Sequence, residues 1–376
     1  MGKVAIINVR EGKILDALNR FWRGLLETRA VDALLIPQTL PGGRNVVQTL
    51  VSDPQNLKRP DPLAPVLPVN SARLLSQMTR VAPSPRKVGA VLRSCELRAL
   101  VELVKLKQAS LDNLVLIGVD CLGTCSVGRY AERIEAGLTT EDFVRSFGEG
   151  QEDVSLREAC QICEFPAPVH ADLTVCLIGA DLEKGIPVVA QTPEGAQILE
   201  GLDLKPGEDR EVAGREEALS QLIARRTAVR DETLAQMQRE AHGMENLLAT
   251  FAGCINCRNC STVCPMCYCK TCFFDSPVFD VEADRYLGWT EKRGTLRMPA
   301  DMLLFHLTRM THMAMSCVGC GMCQEACPND IPVAHIFRMV GMGLQTVFDY
   351  VPGRSLEEEL PLATFREGEL PGIAEE

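Results

Sequence analysis

Two runs of four cysteines share the spacing C-x2-C-x2-C-x3-C-P, and this repeat constrains the chain more than any other feature. The runs are Cys254, Cys257, Cys260 and Cys264, followed by Cys317, Cys320, Cys323 and Cys327. Bacterial ferredoxins use this spacing to hold two [4Fe–4S] clusters, and the fourth cysteine of each run binds the cluster of the other run. Zinc sites instead use paired C-x2-C motifs or mixed Cys/His sets. The spacing therefore predicts two iron–sulfur clusters and a chain that moves electrons.

The reciprocal pattern assigns the ligands of each cluster. One set is Cys254, Cys257, Cys260 and Cys327, and the other is Cys317, Cys320, Cys323 and Cys264. The runs are separated by 52 residues, more than a compact β-ferredoxin places between them. Within this gap, residues 299–315 have helical character, with a proline near the start and an acidic residue in the first turn. We therefore expect residues 249–342 to form a mostly α-helical dicluster ferredoxin domain, of the kind found in succinate dehydrogenase and heterodisulfide reductase subunits.

The first 200 residues alternate between strand-like and helix-like segments. This rhythm is typical of an α/β domain with a mainly parallel sheet. A charge-rich helical linker is predicted over residues 201–248, and an acidic tail over residues 343–376, either an extended arm on a partner or a flexible end. The predicted strands are Val4–Val9, Val31–Ile36, Leu63–Val69, Val88–Leu92, Leu114–Val119, Thr174–Ile178 and Pro187–Ala190, and the helices are Ile14–Arg29, Ser71–Val81 and Glu96–Lys107.

Composition excludes several classes of function. A net charge of −11 and an aromatic content of 5% argue against nucleic-acid binding. No apolar stretch approaches the ~18 residues that a membrane span needs, and no secretory leader is evident at the N-terminus. Seventeen cysteines indicate a reducing compartment and metal ligation. We therefore expect a cytoplasmic protein that works under largely anaerobic conditions.

Four cysteines of the first half form a candidate third [4Fe–4S] site. Cys95 and Cys121 each follow a predicted strand, and the carboxyl ends of parallel strands share one crevice. Cys160 and Cys163 are a C-x2-C pair on a loop that could close over it. Three alternatives stay open: Cys125 as a rival to Cys95, burial of free thiols in the core, and a zinc half-site. Cys176 lies within an apolar strand pattern and is interpreted as a core residue.

Three further cysteines, Cys267, Cys269 and Cys272, follow the first ferredoxin motif directly. They are candidates for another cluster or a zinc ion, with a fourth ligand from Cys125 or His306. The alternative is a group of unligated thiols beside a cluster, which is less favoured because exposed thiolates are easily oxidised.

The first half resembles the β subunits of coenzyme F420-reducing hydrogenase and formate dehydrogenase. The resemblance rests on RSCELRAL at 93–100, LIGVDC at 116–121 and ACQICEF with ADLTVCLIG within 159–179. It implies FAD in the α/β domain beside a cluster at Cys95, Cys121, Cys160 and Cys163. It also implies F420 or a related carrier as a partner, and a complex with a catalytic formate dehydrogenase or hydrogenase subunit or with heterodisulfide-reductase-like subunits.

The flavin site has few markers in the sequence. Members of the family usually carry Gly-Gly near the first helix, whereas this chain has the single Gly12, and no G-x-G-x-x-G is present. Gly42 and Gly43 are interpreted as a turn. Asn70, Ser71 and Arg73, at a strand-to-helix junction, are candidate contacts to the flavin phosphates, and no catalytic residue is assigned. Two hypotheses follow: a flavin-bearing electron-transfer subunit, or a flavin-free wiring subunit that links two larger redox modules.

Overall fold

The computed structural model describes residues 2–150, 155–208 and 211–363, and the chain divides into two compact units. The first comprises Met1–Thr233 with Pro352–Glu358, and the second is built mainly from Leu234–Val351. None of the helices in the described ranges is both long enough and apolar enough to cross a membrane.

A β-sheet with helices around it forms the first unit, which confirms the predicted α/β class. Among the described residues the sheet has eight strands in the order β3-β2-β4-β5-β6-β7-β1-β8. The strands are β1 (Val4–Ile7), β2 (Ala33–Thr39), β3 (Val46–Val51), β4 (Val88–Arg93), β5 (Leu114–Val119), β6 (Leu173–Val175), β7 (Ile186–Ala190) and β8 (Lys205–Pro206). The helices are α1 (Ile14–Glu27), α2 (Ser71–Thr79), α3 (Ser94–Lys105), α4 (Val127–Glu135), α5 (Thr140–Gly148), α6 (Glu158–Gln161) and α7 (Pro193–Glu200).

The sheet is mixed, and its parallel pairs lie together in the centre. β2, β4, β5 and β6 run parallel, whereas the pairs that involve β3, β7, β1 and β8 are antiparallel. β3 forms a hairpin with β2 because Gly42 and Gly43 both adopt positive φ and reverse the chain, as their sequence predicted. The expectation of a mainly parallel sheet is thus met at the centre but not at the edges.

One predicted strand, Leu63–Val69, is wrong. The segment is a buried loop whose β contact is a single bridge between Val66 and Cys125. Prolines at positions 60, 62, 65 and 68 remove backbone donors, so the segment cannot supply a hydrogen-bonded ladder. Its apolar side chains are nevertheless buried, which explains why the pattern looked strand-like.

The core of this unit lies between α1 and the sheet. Apolar residues recur along α1 at helical spacing, and Leu18, Trp22 and Leu25 are fully buried. β4 and β5 are buried along their whole length, as expected for strands covered on both faces. Arg93 pairs with Val119 in this parallel register, so the residues that follow each strand leave the sheet at the same edge.

The second unit is mostly helical, as predicted. Its helices after the long α8 (Arg215–Glu240) are α9 (Met244–Thr250), α10 (Asn259–Thr262), α11 (Ala283–Arg293), α12 (Met302–Met313), α13 (Met322–Glu325) and α14 (Val333–Val347). α8 and most of α9 lie within the stretch for which the sequence predicted a helical linker, although α8 as far as Thr233 belongs to the first unit. α12 is the helix expected between the cysteine runs. α14 continues to Val347, past the position at which the sequence placed the start of the tail.

Candidate metal centres and an adjoining cavity

The two cysteine runs have the same backbone geometry. In the first run the residues on either side of Cys257, Asn256 and Arg258, have φ of 56° and 61°. In the second run Gly319 and Gly321, on either side of Cys320, have φ of 70° and 73°. Such alternating left-handed residues curl a loop so that its backbone N–H groups point inward and favour an anion, as in many iron–sulfur sites. Both loops therefore fit a negatively charged cluster.

Thiols of the two runs meet in the reciprocal pattern. Burial raises the pKa of Cys254, and the thiolates of Cys257 and Cys327 raise it further. A hydrogen bond with Cys267, together with burial, raises the pKa of Cys264, and Cys320 adds to this shift. The last cysteine of each run is thus an electrostatic neighbour of the other run. Thiolates that repel one another in this way are stabilised once iron cations bind between them.

The next three cysteines do not share one environment. Cys269 is exposed, and Cys272 packs against the buried cluster of Cys260, Phe274 and Phe305. Cys267 instead faces Met313, with its Sγ 3.8 Å from the thioether sulfur. Across residues 2–150, 155–208 and 211–363, no three His, Cys, Asp or Glu side chains are grouped as ligands of a single metal ion.

His306 was one candidate for a fourth ligand to a metal at those three cysteines, but its ring lies beside a different cysteine. Its Nε2 lies 3.3 Å from Cys254 Sγ, and its ring stacks on Phe251 with centroids 4.1 Å apart. Burial, and then the charge of Arg309, lower the pKa of His306 to about 4, so the ring is neutral at pH 7. The neutral ring can donate one hydrogen bond to the Cys254 sulfur.

Sequence reasoning missed Arg309, which lies one turn beyond His306 on α12. Arg309 is buried among the cysteines of both runs. In the sequence it is an arginine within a largely apolar predicted helix between the two cluster motifs. That pattern alone does not distinguish a buried charge from a solvated one.

Three of the four predicted thiols in the first unit lie near enough for their charges to affect one another. Burial raises the pKa of Cys121 to about 11, and the charges on Cys160 and Cys163 also raise it, whereas Arg93 lowers it. Cys160 differs: burial would raise its pKa, but Arg157 and a hydroxyl contact with Thr124 hold it below the ordinary value. The Thr124 Oγ1 to Cys160 Sγ distance is 3.3 Å.

The fourth predicted thiol, Cys95, follows the neighbouring strand as the second residue of α3. Arg93 and Val119 are paired in register, and Cys95 and Cys121 each follow two residues later. The two cysteines therefore follow neighbouring parallel strands at the same edge of the sheet. Its rival, Cys125, is buried in a separate apolar cluster with Tyr130, and its Sγ donates a hydrogen bond to Pro65 O at 2.9 Å.

Cys176 is buried in the core, as the sequence predicted. Its exposed fraction is 1%, and burial raises the pKa of its thiol to about 12. At this pKa the thiol is protonated at neutral pH and behaves as a small apolar side chain.

A cavity of about 1520 Å³ opens at the same edge of the sheet, within the first unit. Leu122, the residue after Cys121, lines it, together with Ile178 and Gly179 from the segment after β6. Gly12, Arg145 and Arg225 also line it. Its volume exceeds the ~300–1,000 Å³ of ordinary small-molecule sites, so a dinucleotide cofactor fits by size.

Asp120 stabilises the backbone of one wall of this cavity. Its Oδ2 accepts hydrogen bonds from Leu177 N and Ile178 N at 2.9 and 3.0 Å. Arg215, at the start of α8, donates from Nη2 to Asp120 Oδ1 at 2.6 Å and forms a second contact to Oδ2. One buried carboxylate thus joins the ends of β5 and β6 to α8, directly before Cys121.

The predicted flavin contacts lie at the start of α2, away from the cavity lining. Asn70 Oδ1 caps the helix by accepting from Ala72 N at 3.1 Å, and Ser71 N donates to Glu96 Oε1 at 2.8 Å. Asn70 and Ser71 are fully buried, and Arg73 is partly exposed. A nearby cavity beside Glu96 has a volume of only about 10 Å³. Asn70 and Ser71 therefore stabilise the start of α2. Flavin binding by Asn70, Ser71 and Arg73 stays a prediction.

Comparison with known proteins supports the iron–sulfur interpretation. Residues 250–331 match the family described as a 4Fe-4S dicluster domain. The chain is 26% identical to the F420-dependent formate dehydrogenase subunit beta of Methanocaldococcus jannaschii, over 94% of this chain and 95% of that protein. It is 25% identical to the F420-dependent formate dehydrogenase 1 subunit beta of Methanococcus maripaludis, over 94% of each. The predicted resemblance is confirmed.

These relatives and the dicluster match make the chain an iron–sulfur electron-transfer subunit of an oxidoreductase. A solved chain of the F420-reducing [NiFe] hydrogenase complex from Methanosarcina barkeri aligns with 65% of this chain and 95% of its own length, with a TM-score of 0.45 and 14% identity.

Proposed function

We propose that the chain relays electrons between a flavin in its first unit and a catalytic partner subunit, by way of [4Fe–4S] clusters. The observation that carries this proposal is the cavity of about 1520 Å³ whose wall includes Leu122, the residue next to Cys121. A redox cofactor in that cavity lies beside the group of Cys121, Cys160 and Cys163. Such a neighbour is required wherever two-electron chemistry feeds one-electron clusters.

Three clusters are assigned. The reciprocal neighbours described above support one cluster at Cys254, Cys257, Cys260 and Cys327 and a second at Cys264, Cys317, Cys320 and Cys323. The third is assigned to Cys95, Cys121, Cys160 and Cys163, and it is supported by Arg93, Arg157 and Arg226, whose charges lower the pKa values of thiols in this group. A further ion at Cys267, Cys269 and Cys272 stays a prediction.

FAD is the flavin that we propose for the cavity. Arg145 and Arg225 on the cavity lining offer positive charge for its diphosphate, beside the carboxylates of Glu11, Glu149, Asp181 and Glu183. Arg145 Nη2 also donates to Gly12 O at 2.9 Å, which fixes the turn before α1. A bound flavin accepts a hydride and releases electrons singly.

The partners follow from the names of the relatives. We propose F420 or a related deazaflavin as the diffusible carrier, and a formate dehydrogenase catalytic subunit as the protein partner. A heterodisulfide-reductase-like acceptor is the alternative for the cluster end of the relay. The single glycine of the Arg10–Lys13 turn favours the second hypothesis, a flavin-free wiring subunit.

A tryptophan scan of α8 separates the two hypotheses. Ala224 lines the cavity, whereas Ala228 lies one turn further along the same helix and outside it. In anaerobically purified protein, Ala224→Trp should lose FAD and keep its iron, and Ala228→Trp should keep both. Reduced F420 should generate the cluster EPR signal in the wild type and in Ala228→Trp only. Wild-type protein with full iron and no flavin would establish the wiring role instead.

A further inference from the structure

Arg309 is a buried cation with an unusual set of neighbours. It lies on α12 with an exposed fraction of 5%. Within the described ranges no carboxylate forms an ion pair with it, although a buried charge is costly without one. The anionic groups around it are cysteines from both ferredoxin runs: Cys260, Cys264, Cys323 and the adjacent Cys267.

The contacts fix the guanidinium between the two runs. Nη2 donates to Cys260 O at 3.2 Å and approaches Met313 Sδ at 3.4 Å. Nε donates to Cys267 Sγ at 3.5 Å, and the plane lies over the Phe337 ring, 4.8 Å from its centroid. These contacts hold the side chain in one position, so its charge has a fixed distance to each run.

One donor of this buried group has no partner. Nη1 is inaccessible to solvent and makes no hydrogen bond to the described part of the protein. A buried guanidinium N–H that lacks an acceptor is costly, so its presence points to an acceptor supplied by a bound group. The thiolate and inorganic sulfurs of iron–sulfur clusters accept such hydrogen bonds.

We propose that Arg309 is the residue that sets the reduction potentials of the paired clusters, through its positive charge and a hydrogen bond from Nη1 to cluster sulfur. The inference rests on the proposed ligation of those clusters by the two runs. Reduction adds one negative charge to a cluster, and a nearby cation stabilises the reduced form more than the oxidised form. Arg309 therefore raises both potentials and makes the pair easier to reduce.

Three variants of the full-length protein, purified without oxygen, test this role. Arg309→Gln removes the charge, Arg309→Lys keeps it without the planar fork, and Arg285→Gln on α11 is the control, because Arg285 is exposed. The readouts are iron content and an EPR-monitored redox titration. Arg309→Gln should lower the reduced-to-oxidised ratio of the clusters at least tenfold at a fixed potential, which corresponds to about 59 mV for one electron. In Arg309→Lys the reduction potentials of the clusters should stay close to those of the wild type. In Arg285→Gln they should be unchanged.

The outcomes separate this inference from the ligation on which it rests. Wild-type protein with fewer than about 8 iron atoms in the paired sites contradicts the ligation. Arg309→Gln with full iron and unchanged potentials overturns the role of Arg309 alone. If Arg309→Gln loses iron, the test falls to Arg309→Lys, which keeps the positive charge. Lowered reduction potentials in Arg309→Lys would show that the charge does not determine them.

Discussion

The Asp120–Arg215 pair gives the sharpest test of how the first unit is built. The Asp120 side chain is fully buried, and that of Arg215 is 15% exposed. Replacing Asp120 with asparagine preserves the shape and leaves an oxygen for the N–H groups of Leu177 and Ile178. The substitution removes the negative charge that faces Arg215 and replaces the Oδ1 acceptor of Arg215 Nη2 with an N–H donor.

The structure sets the size of the effect. Removing one partner of a buried ion pair costs about 3–5 kcal/mol, because the remaining charge stays buried without compensation. Arg215 reaches some solvent, and the amide that replaces the carboxylate keeps hydrogen bonds, so we expect the lower end, about 3 kcal/mol. For a unit of about 150–250 residues this corresponds to a fall of about 6–12 °C in Tm.

Fluorescence of Trp22 measures this transition selectively. Trp22 is fully buried in the core of the first unit, and the other tryptophan, Trp289, is in the second unit. In a Trp289→Phe background, thermal unfolding of Asp120→Asn is compared with Glu200→Gln, which breaks the exposed pair of Lys3 and Glu200 and should cost less than about 1 kcal/mol. If Asp120→Asn unfolds at the same temperature as Glu200→Gln, the pair does not hold the edge of the sheet.

Three other predictions follow from the structure. Cys121→Ser should lower the iron content from about 12 to about 8 atoms per chain, because it removes a ligand of the proposed third cluster. Gly353→Ala should loosen the segment Pro352–Glu358, measured by trypsin cleavage, because residue 353 has φ of 79° and an added Cβ would lie 2.5 Å from Arg98 Cα. Asp61→Asn should gain stability relative to wild type as the pH rises above about 4, the ordinary pKa of aspartate, measured by urea unfolding. Burial raises the pKa of Asp61, so the folded state holds that proton more tightly, and wild-type stability falls as the pH rises through its folded-state pKa.

The first two of these predictions have a matched control, and all three have a result that would contradict them. Cys125→Ser should keep about 12 iron atoms, and equal loss in both variants would mean that Cys125 is also a ligand. Gly343→Ala, where an added Cβ meets no atom within 4 Å, should leave cleavage after Arg354 unchanged. Cleavage at the wild-type rate in Gly353→Ala would contradict the packing argument. For Asp61→Asn, a stability difference that does not change with pH would show that the carboxyl titrates alike in both states.

Local patterns in the sequence predicted much of the fold. The spacing of each cysteine run is local, so the repeat was visible without tertiary information. β5 was predicted at Leu114–Val119, as observed, because a strand buried on both faces is apolar without interruption. α12 was predicted from a proline near its start and an acidic residue placed in its first turn, and in the structure Asp301 is the N-cap residue.

What the sequence could not reveal depends on contacts between distant residues. The prolines around Leu63–Val69 were visible, but the burial of its apolar residues in a loop was not. His306 was a candidate fourth ligand for a metal at Cys267, Cys269 and Cys272, whereas its actual neighbour is Cys254, 52 positions away. Arg309 could be recognised only once α12 was seen to lie against both cysteine runs.

EPR spectroscopy of the dithionite-reduced, oxygen-free protein, with its iron counted on the same sample, tests the central claim most directly. We predict about 8 iron atoms from the paired sites and about 4 from the site at Cys121, with signals from reduced [4Fe–4S] clusters. A protein that binds zinc in place of iron and gives no paramagnetic signal after reduction would contradict an electron-transfer role for this chain.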